Sequence, residues 1–177
     1  EIGRRLGGAA DAGEFRDHVA GQAHVPGGGD DLRGDGVVAA AGAEVTAVDI
    51  SASRLERLHH NIARTGLAAE VIEADILDLG MTRCFDAVLL DAPCWATGTI
   101  RRHPELPYLK SDLHLGELVA RQRAMLVAAS ERVIPGGMLV YATCSLEPEE
   151  GEEQIGWFLS RHADFELAMP PSTVPPP

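Results

Sequence analysis

The chain has 177 residues, enough for one domain with a core of useful size. Its 45% hydrophobic and 24% charged residues are those of an ordinary globular protein, and no apolar run nears the roughly 20 residues that cross a bilayer. Fifteen Lys+Arg against 27 Asp+Glu give a net charge of -12, which argues against holding nucleic acid mainly by phosphate neutralisation.

Residues 1–42 hold 11 of the 19 glycines and show no long amphipathic helix, so they are set apart as an irregular N-terminal segment. The opening Glu1-Ile2-Gly3-Arg4-Arg5 leads into no apolar signal core, and the missing initiator methionine suggests a fragment. From Ala43 the texture changes. Glu44–Asp49 reads as a buried strand, and Ser51 or Ser53 caps a helix of about Arg54 to Arg64, ended by Gly66. Leu55, Leu58 and Ile62 give that helix its apolar face. Glu70–Asp75 and Phe85–Asp91 read as two more strands. Glu117 to Val133 reads as a helix, Pro135-Gly136-Gly137 as a turn, and Met138–Thr143 as a fourth strand. A polar helix over about Pro148 to Arg161 follows, and its acids Glu147, Glu149, Glu150, Glu152 and Glu153 are expected on a solvated face. A folded domain is placed at 43–165, with a proline-rich tail at 166–177.

Strands alternating with helices predict an α/β fold with a mostly parallel, doubly wound sheet. Ligands in such sheets bind at the carboxyl ends of the strands. Asp49, Asp75 and Asp91 each lie just past an apolar run, where a carboxylate can accept hydrogen bonds from ribose hydroxyls or an amino group. One such acid is ordinary turn chemistry; three at consecutive strand ends favour a nucleoside-type ligand, either a dinucleotide or S-adenosylmethionine.

Two cysteine motifs carry the chemistry. Asp91-Ala92-Pro93-Cys94 is followed by Trp95-Ala96-Thr97-Gly98-Thr99-Ile100-Arg101-Arg102-His103-Pro104, and the second is Tyr141-Ala142-Thr143-Cys144-Ser145. Both cysteines sit just past a strand, where a thiolate can act as a nucleophile. Such a pair could also form a disulfide or divide a covalent mechanism, whereas the spacing of Cys84, Cys94 and Cys144 is that of no disulfide framework and no metal knuckle. No metal is expected, and a reducing cytoplasm is the simplest compartment. Cys84 matches no motif and is expected to be structural, as are Trp157 and Phe158.

The segments Asp91 to Pro104 and Pro135 to Gln154 closely resemble the RNA 5-methylcytosine methyltransferases of the Sun/Fmu family, in particular those acting on small-subunit ribosomal RNA. The resemblance runs from about Ala43 to Phe165. It implies a Rossmann-like class I methyltransferase fold, truncated here at its C-terminal strands, with S-adenosylmethionine as cofactor and RNA as partner. By resemblance, Cys144 adds to cytosine C6 and makes C5 nucleophilic, Cys94 assists release, and Asp91 lies beside the reacting groups. Asp49 then binds the ribose hydroxyls and Asp75 the adenine amino group. Arg101, Arg102 and His103 are the compact basic cluster nearby, available to RNA phosphate.

The chain departs from the family in places. The family's A-x-P-G-G-K-T loop, which wraps the cofactor's methionine part, is matched at Pro26, Gly27 and Gly28, but Gly29 and Asp30 stand at the lysine and threonine positions. The strand expected before it, His18-Val19-Ala20-Gly21-Gln22-Ala23, is weakly apolar. A frameshifted coding segment over about 14–38 would produce such a stretch and leave an inactive homologue, the alternative reading. A nicotinamide-dependent oxidoreductase also fits the first acid but leaves both cysteine motifs unexplained. Trp95 replaces the family's usual small residue, either crowding the base pocket or giving it a stacking face.

Overall fold

A computed structural model describes residues 2–4, 18–22, 43–80, 83–104 and 112–168. Pro26, Gly27, Gly28 and most of the 14–38 stretch lie outside the described residues, as does 169–177. Seven strands form one sheet in the order β4-β3-β2-β5-β6-β1-β7. The strands are β1 (Ile2–Arg4), β2 (His18–Gln22), β3 (Glu44–Asp49), β4 (Glu70–Glu73), β5 (Phe85–Asp91), β6 (Val133–Ala142) and β7 (Phe165–Leu167). From β4 to β6 every pair is parallel, while β1 runs antiparallel to both β6 and β7. The chain winds outward from β2 through β3 to β4, then returns to β2's other side with β5. That reversal is where a doubly wound sheet opens a crevice for a ligand.

The expected α/β architecture holds, with several differences of detail. The weakly apolar stretch at His18 forms β2 at the centre of the sheet, pairing with β3 and β5. Ladder hydrogen bonds come from the backbone, so a strand need not be strongly apolar to make them. β1 carries no sequence signal, being three residues long, yet it pairs Ile2 with Leu139 and with Leu167. β7 takes the sheet two residues past the Phe165 boundary drawn from the sequence.

β3 is buried from Val45 to Asp49, as a central parallel strand should be. Helix α1 (Ala52–Thr65) follows, with Ser51 at its N-cap. The Ser51 hydroxyl meets Ser53 Oγ at 3.1 Å and makes no cap bond. Gly66 ends the helix with φ 69°, donating its N–H to Ile62 O, as expected of a C-terminal glycine.

Pro135-Gly136-Gly137 is no turn but an irregularity inside β6, where the register jumps from Phe85↔Val133 to Ala87↔Met138. A Cβ on Gly137 would lie 2.7 Å from Asp86 O, so the site admits glycine. The polar helix breaks in two, a 3-10 turn at Pro148–Glu150 and α3 (Glu152–Leu159). Helix α2 (Asp112–Ser130) starts five residues before the expected Glu117.

The core lies between the sheet and helices α2 and α3. Phe85, Val88 and Leu90 of β5 meet Met125, Leu126 and Ala129 of α2, with Leu139, Phe158 and Phe165 closing the layer. Phe158 stacks on His162 at 4.3 Å and meets Phe165 edge-on. Trp157 packs at the border of this core, with the guanidinium groups of Arg123 and Arg161 at 5.0 and 4.9 Å from its ring. Cys84 is exposed, so it is no buried hydrophobe. No helix among the described residues is long and apolar enough to cross a membrane.

Candidate active site

β5 and β6 lie side by side and end together, with Asp91 opposite Ala142. Each delivers a cysteine just past its end. Cys94 Sγ and Cys144 Sγ stand 3.3 Å apart, both half-buried free thiols, and either can donate to the other. The sequence placed the two at neighbouring strand ends; the fold brings them into contact. Asp91 lies near enough for its charge to act on Cys144.

Burial first, then the Cys94 sulfur and the Asp91 carboxylate, together push the Cys144 thiol up to about 12. A thiol so placed is almost wholly protonated near neutrality. Any nucleophilic reaction at this sulfur would have to be coupled to loss of its proton, and Cys94 is the group already hydrogen-bonded to it. Burial, Glu150 and Cys94 likewise hold the Tyr141 phenol far above its ordinary range.

The two loops are laced together. Gly98 donates its N–H to Cys144 O at 3.0 Å. A Cβ at position 98 would sit 2.8 Å from that oxygen. Thr97 Oγ1 meets Ser145 Oγ at 3.1 Å and accepts the Leu146 N–H at 2.8 Å. Ala96 takes φ 56°, a left-handed value that costs an L-residue roughly 1–2 kcal/mol. Such strain is concentrated where a loop is held to a required shape.

Below the Cys94 loop lies a buried polar group that the sequence reading put elsewhere. Glu150, expected on a solvated face, is wholly buried. Both its carboxylate oxygens accept the Trp95 N–H at 3.1 Å. Gln122, also wholly buried, donates from Nε2 to Glu150 Oε1 and to Pro93 O, both at 2.8 Å. A signal for Gln122 existed: it breaks an apolar helical stripe of Leu118, Met125 and Leu126. Glu150, inside a run of acids, offered none.

At the other half of the crevice, Asp49 ends β3 and is 1% exposed. Arg54 forks onto it, from Nε to Oδ2 at 2.8 Å and from Nη2 to Oδ1 at 2.6 Å. The Ser51 N–H adds a bond to Oδ1 at 2.7 Å. A carboxylate offers about four acceptor positions, so one remains on Oδ2. Asp75, past β4, accepts the Leu77 N–H at 3.0 Å and pairs with Arg121 at 2.7 Å. Its neighbour Leu77 and Asp49's neighbour Ile50 are exposed apolar side chains. Arg101, Arg102 and His103 stand on the surface of the loop beyond Cys94. Among the described residues, no group of three or more His, Cys, Asp or Glu is placed to hold a metal ion.

The chain is similar to known proteins over most of its length. The family described as 16S rRNA methyltransferase RsmB/F matches the chain over residues 27–175. The ribosomal RNA small subunit methyltransferase B of Erwinia tasmaniensis is 49% identical over 133 residues, 73% of this chain and 31% of that protein. The chain thus spans about a third of the length of the curated relatives it matches. The crystal structure of PH0851 is 32% identical with a TM-score of 0.77, covering 92% of this chain and 37% of that one. NSun6 from Pyrococcus horikoshii, solved with SFG, is 28% identical with a TM-score of 0.67, over 82% and 37%.

Proposed function

The chain belongs to the 16S rRNA methyltransferase RsmB/F family, and from that premise we propose that it methylates cytosine C5 in small-subunit ribosomal RNA, with S-adenosylmethionine as methyl donor. The observation that carries this reading is the 3.3 Å contact between Cys94 and Cys144 at the ends of adjacent parallel strands.

The residues present fit the cofactor. Asp49 keeps one acceptor position for a ribose hydroxyl while Arg54 holds its orientation. The Asp75 carboxylate accepts two hydrogen bonds from the described residues, which leaves room for an adenine amino group. Ile50 and Leu77, close in sequence to these acids, offer exposed apolar surface to the ring. Pro26, Gly27 and Gly28 carry the methionine part in this reading. When bound, the cofactor supplies an electrophilic sulfonium methyl.

The protein's own groups do the rest. Cytosine C5 is a poor nucleophile until a sulfur adds at C6. Cys144 makes that bond as its proton passes to a base, and the C5=C6 electron pair shifts to leave an enamine whose C5 is nucleophilic. Once C5 carries the methyl group, a base removes the C5 proton, C5=C6 re-forms as the S–C6 bond breaks, and Cys94, in contact with Cys144, assists that release. Asp91 lies close enough for its charge to disfavour the Cys144 thiolate. The target base has to be unstacked to reach this depth, and Arg101, Arg102 and His103 are available to the flanking phosphates. A reducing cytoplasm, where free thiols persist, is the compartment this reading favours.

The test is the full chain with a small-subunit rRNA transcript and labelled S-adenosylmethionine. Cys144→Ala abolishes both methyl transfer and covalent RNA capture. Cys94→Ala accumulates a protein–RNA adduct that survives denaturing electrophoresis. Normal turnover by Cys94→Ala would overturn the assignment of roles.

A further inference from the structure

We propose that Glu150, with Gln122 as its relay, is the positioning residue that sets the spacing of the two cysteines. It rests on the reading above only in taking that pair as the reacting groups.

Both peptide groups that flank Cys94 end on this network. Ahead of it, Pro93 O accepts from Gln122 Nε2 at 2.8 Å. Behind it, the Trp95 N–H donates to the Glu150 carboxylate. Gln122 ties the two anchors together through its bond to Glu150 Oε1. The same residue also reaches the other cysteine's strand: Tyr141, three residues before Cys144, donates its hydroxyl to Glu150 O at 2.9 Å. Side chain and main chain of one residue therefore fix two loops relative to each other. Gln154, wholly buried too, braces Gln122 by donating to its Oε1 at 3.1 Å.

Burying a carboxylate without a cation is costly, and no Lys, Arg or His among the described residues forms an ion pair with Glu150. An apolar side chain would fill the space more cheaply, but it would leave the Trp95 N–H without its acceptor. What the carboxylate adds is a fixed position for the backbone on either side of a reactive sulfur. Networks of this kind hold a geometry when their members are satisfied; the Glu150 and Gln122 side-chain atoms all have partners, while Gln154 Oε1, at the outer end of the brace, has none among the described residues.

The experiment measures cysteine geometry directly. The full chain, in a Cys84→Ser background, is equilibrated with mixtures of reduced and oxidised glutathione. One oxidised glutathione takes two electrons and two protons from Cys94 and Cys144, giving their intramolecular disulfide and two reduced glutathiones. The equilibrium constant is the effective concentration of one thiol at the other. Glu150→Gln keeps the shape but sets an NH2 group against the Trp95 N–H, and Gln122→Met removes both donated bonds. Each is expected to lower the effective concentration at least tenfold, with circular dichroism and melting close to the parent.

A folded variant with an unchanged effective concentration overturns the proposal. If Glu150→Gln does not fold, Gln122→Met decides it. Failure of both to fold assigns the network to stability alone and overturns the positioning role. A parallel assay separates this from the functional reading: Glu150→Gln should accumulate part of the RNA adduct that Cys94→Ala accumulates. If Cys94→Ala forms none, the cysteine roles fall while the glutathione result still stands.

Discussion

Asp49 and Glu150 are both buried carboxylates, and both accept three hydrogen bonds. They differ in what donates. Asp49 is gripped by a guanidinium from its own following helix, a bidentate fork that balances its charge and leaves one acceptor position toward the crevice. Glu150 is held only by neutral N–H groups, all of them belonging to the frame of the Cys94 loop. In the proposed reading, a cation-balanced acid at a strand end with a spare acceptor position receives a ligand hydroxyl. An acid whose acceptors are taken by backbone and amide is built to hold the protein itself. The same side-chain chemistry thus separates into binding and positioning according to its donors.

That contrast can be broken. Asp49→Asn leaves Arg54 facing a neutral amide, so a charge-assisted fork is lost. Isothermal calorimetry should show at least a tenfold weaker binding of S-adenosylmethionine, and melting should report a loss of about 1–3 kcal/mol. Its Cys94–Cys144 effective concentration should stay at the parent value. If both fall together, the two carboxylates do not serve separate halves of the crevice.

A smaller effect sharpens the cysteine side. Burial is the main cause of the raised Cys144 value, with Cys94 and then the Asp91 charge adding to it. A negative charge opposes the thiolate, so Asp91→Asn should lower the pKa and increase the thiolate fraction at a fixed pH. Alkylation of Cys144 by iodoacetamide at pH 8, followed by mass spectrometry, should run roughly three- to tenfold faster. An unchanged rate would mean that Asp91 does not act on the thiol.

The smallest effect is expected at Asp75. Its pair with Arg121 is partly exposed, with side-chain exposures of 15% and 46%. Exposed ion pairs contribute up to about 1 kcal/mol. Arg121→Ala should therefore change cofactor affinity less than about fivefold. A loss as large as that of Asp49→Asn would place Arg121 among the groups that orient the ligand.

Much of the fold could be read in advance where local pattern and tertiary role coincide. Phe85–Asp91 is an apolar run because β5 is central in the sheet, and Gly66 ends a helix because only glycine takes that φ cheaply. The cysteines were legible because each sits in a distinctive motif just past a strand. What the sequence hid depends on distant partners. Pro135-Gly136-Gly137 has the local chemistry of a turn, yet pairing with β5 keeps it inside β6. Glu150 looks like its acidic neighbours, and only the loop at Trp95, 55 residues earlier, makes it different.

The position of β1 has a consequence for how the molecule forms. Ile2 pairs with Leu139 on one side and Leu167 on the other. Pairings so far apart in sequence carry a large loop-closure cost and belong to slow-folding topologies. During synthesis β1 precedes both of its partners, so its edges stay unpaired until first β6 and then β7 have emerged. The strand that leads to Cys144 thus gains its outer neighbour as soon as it is made, while the edge beyond that neighbour is closed last.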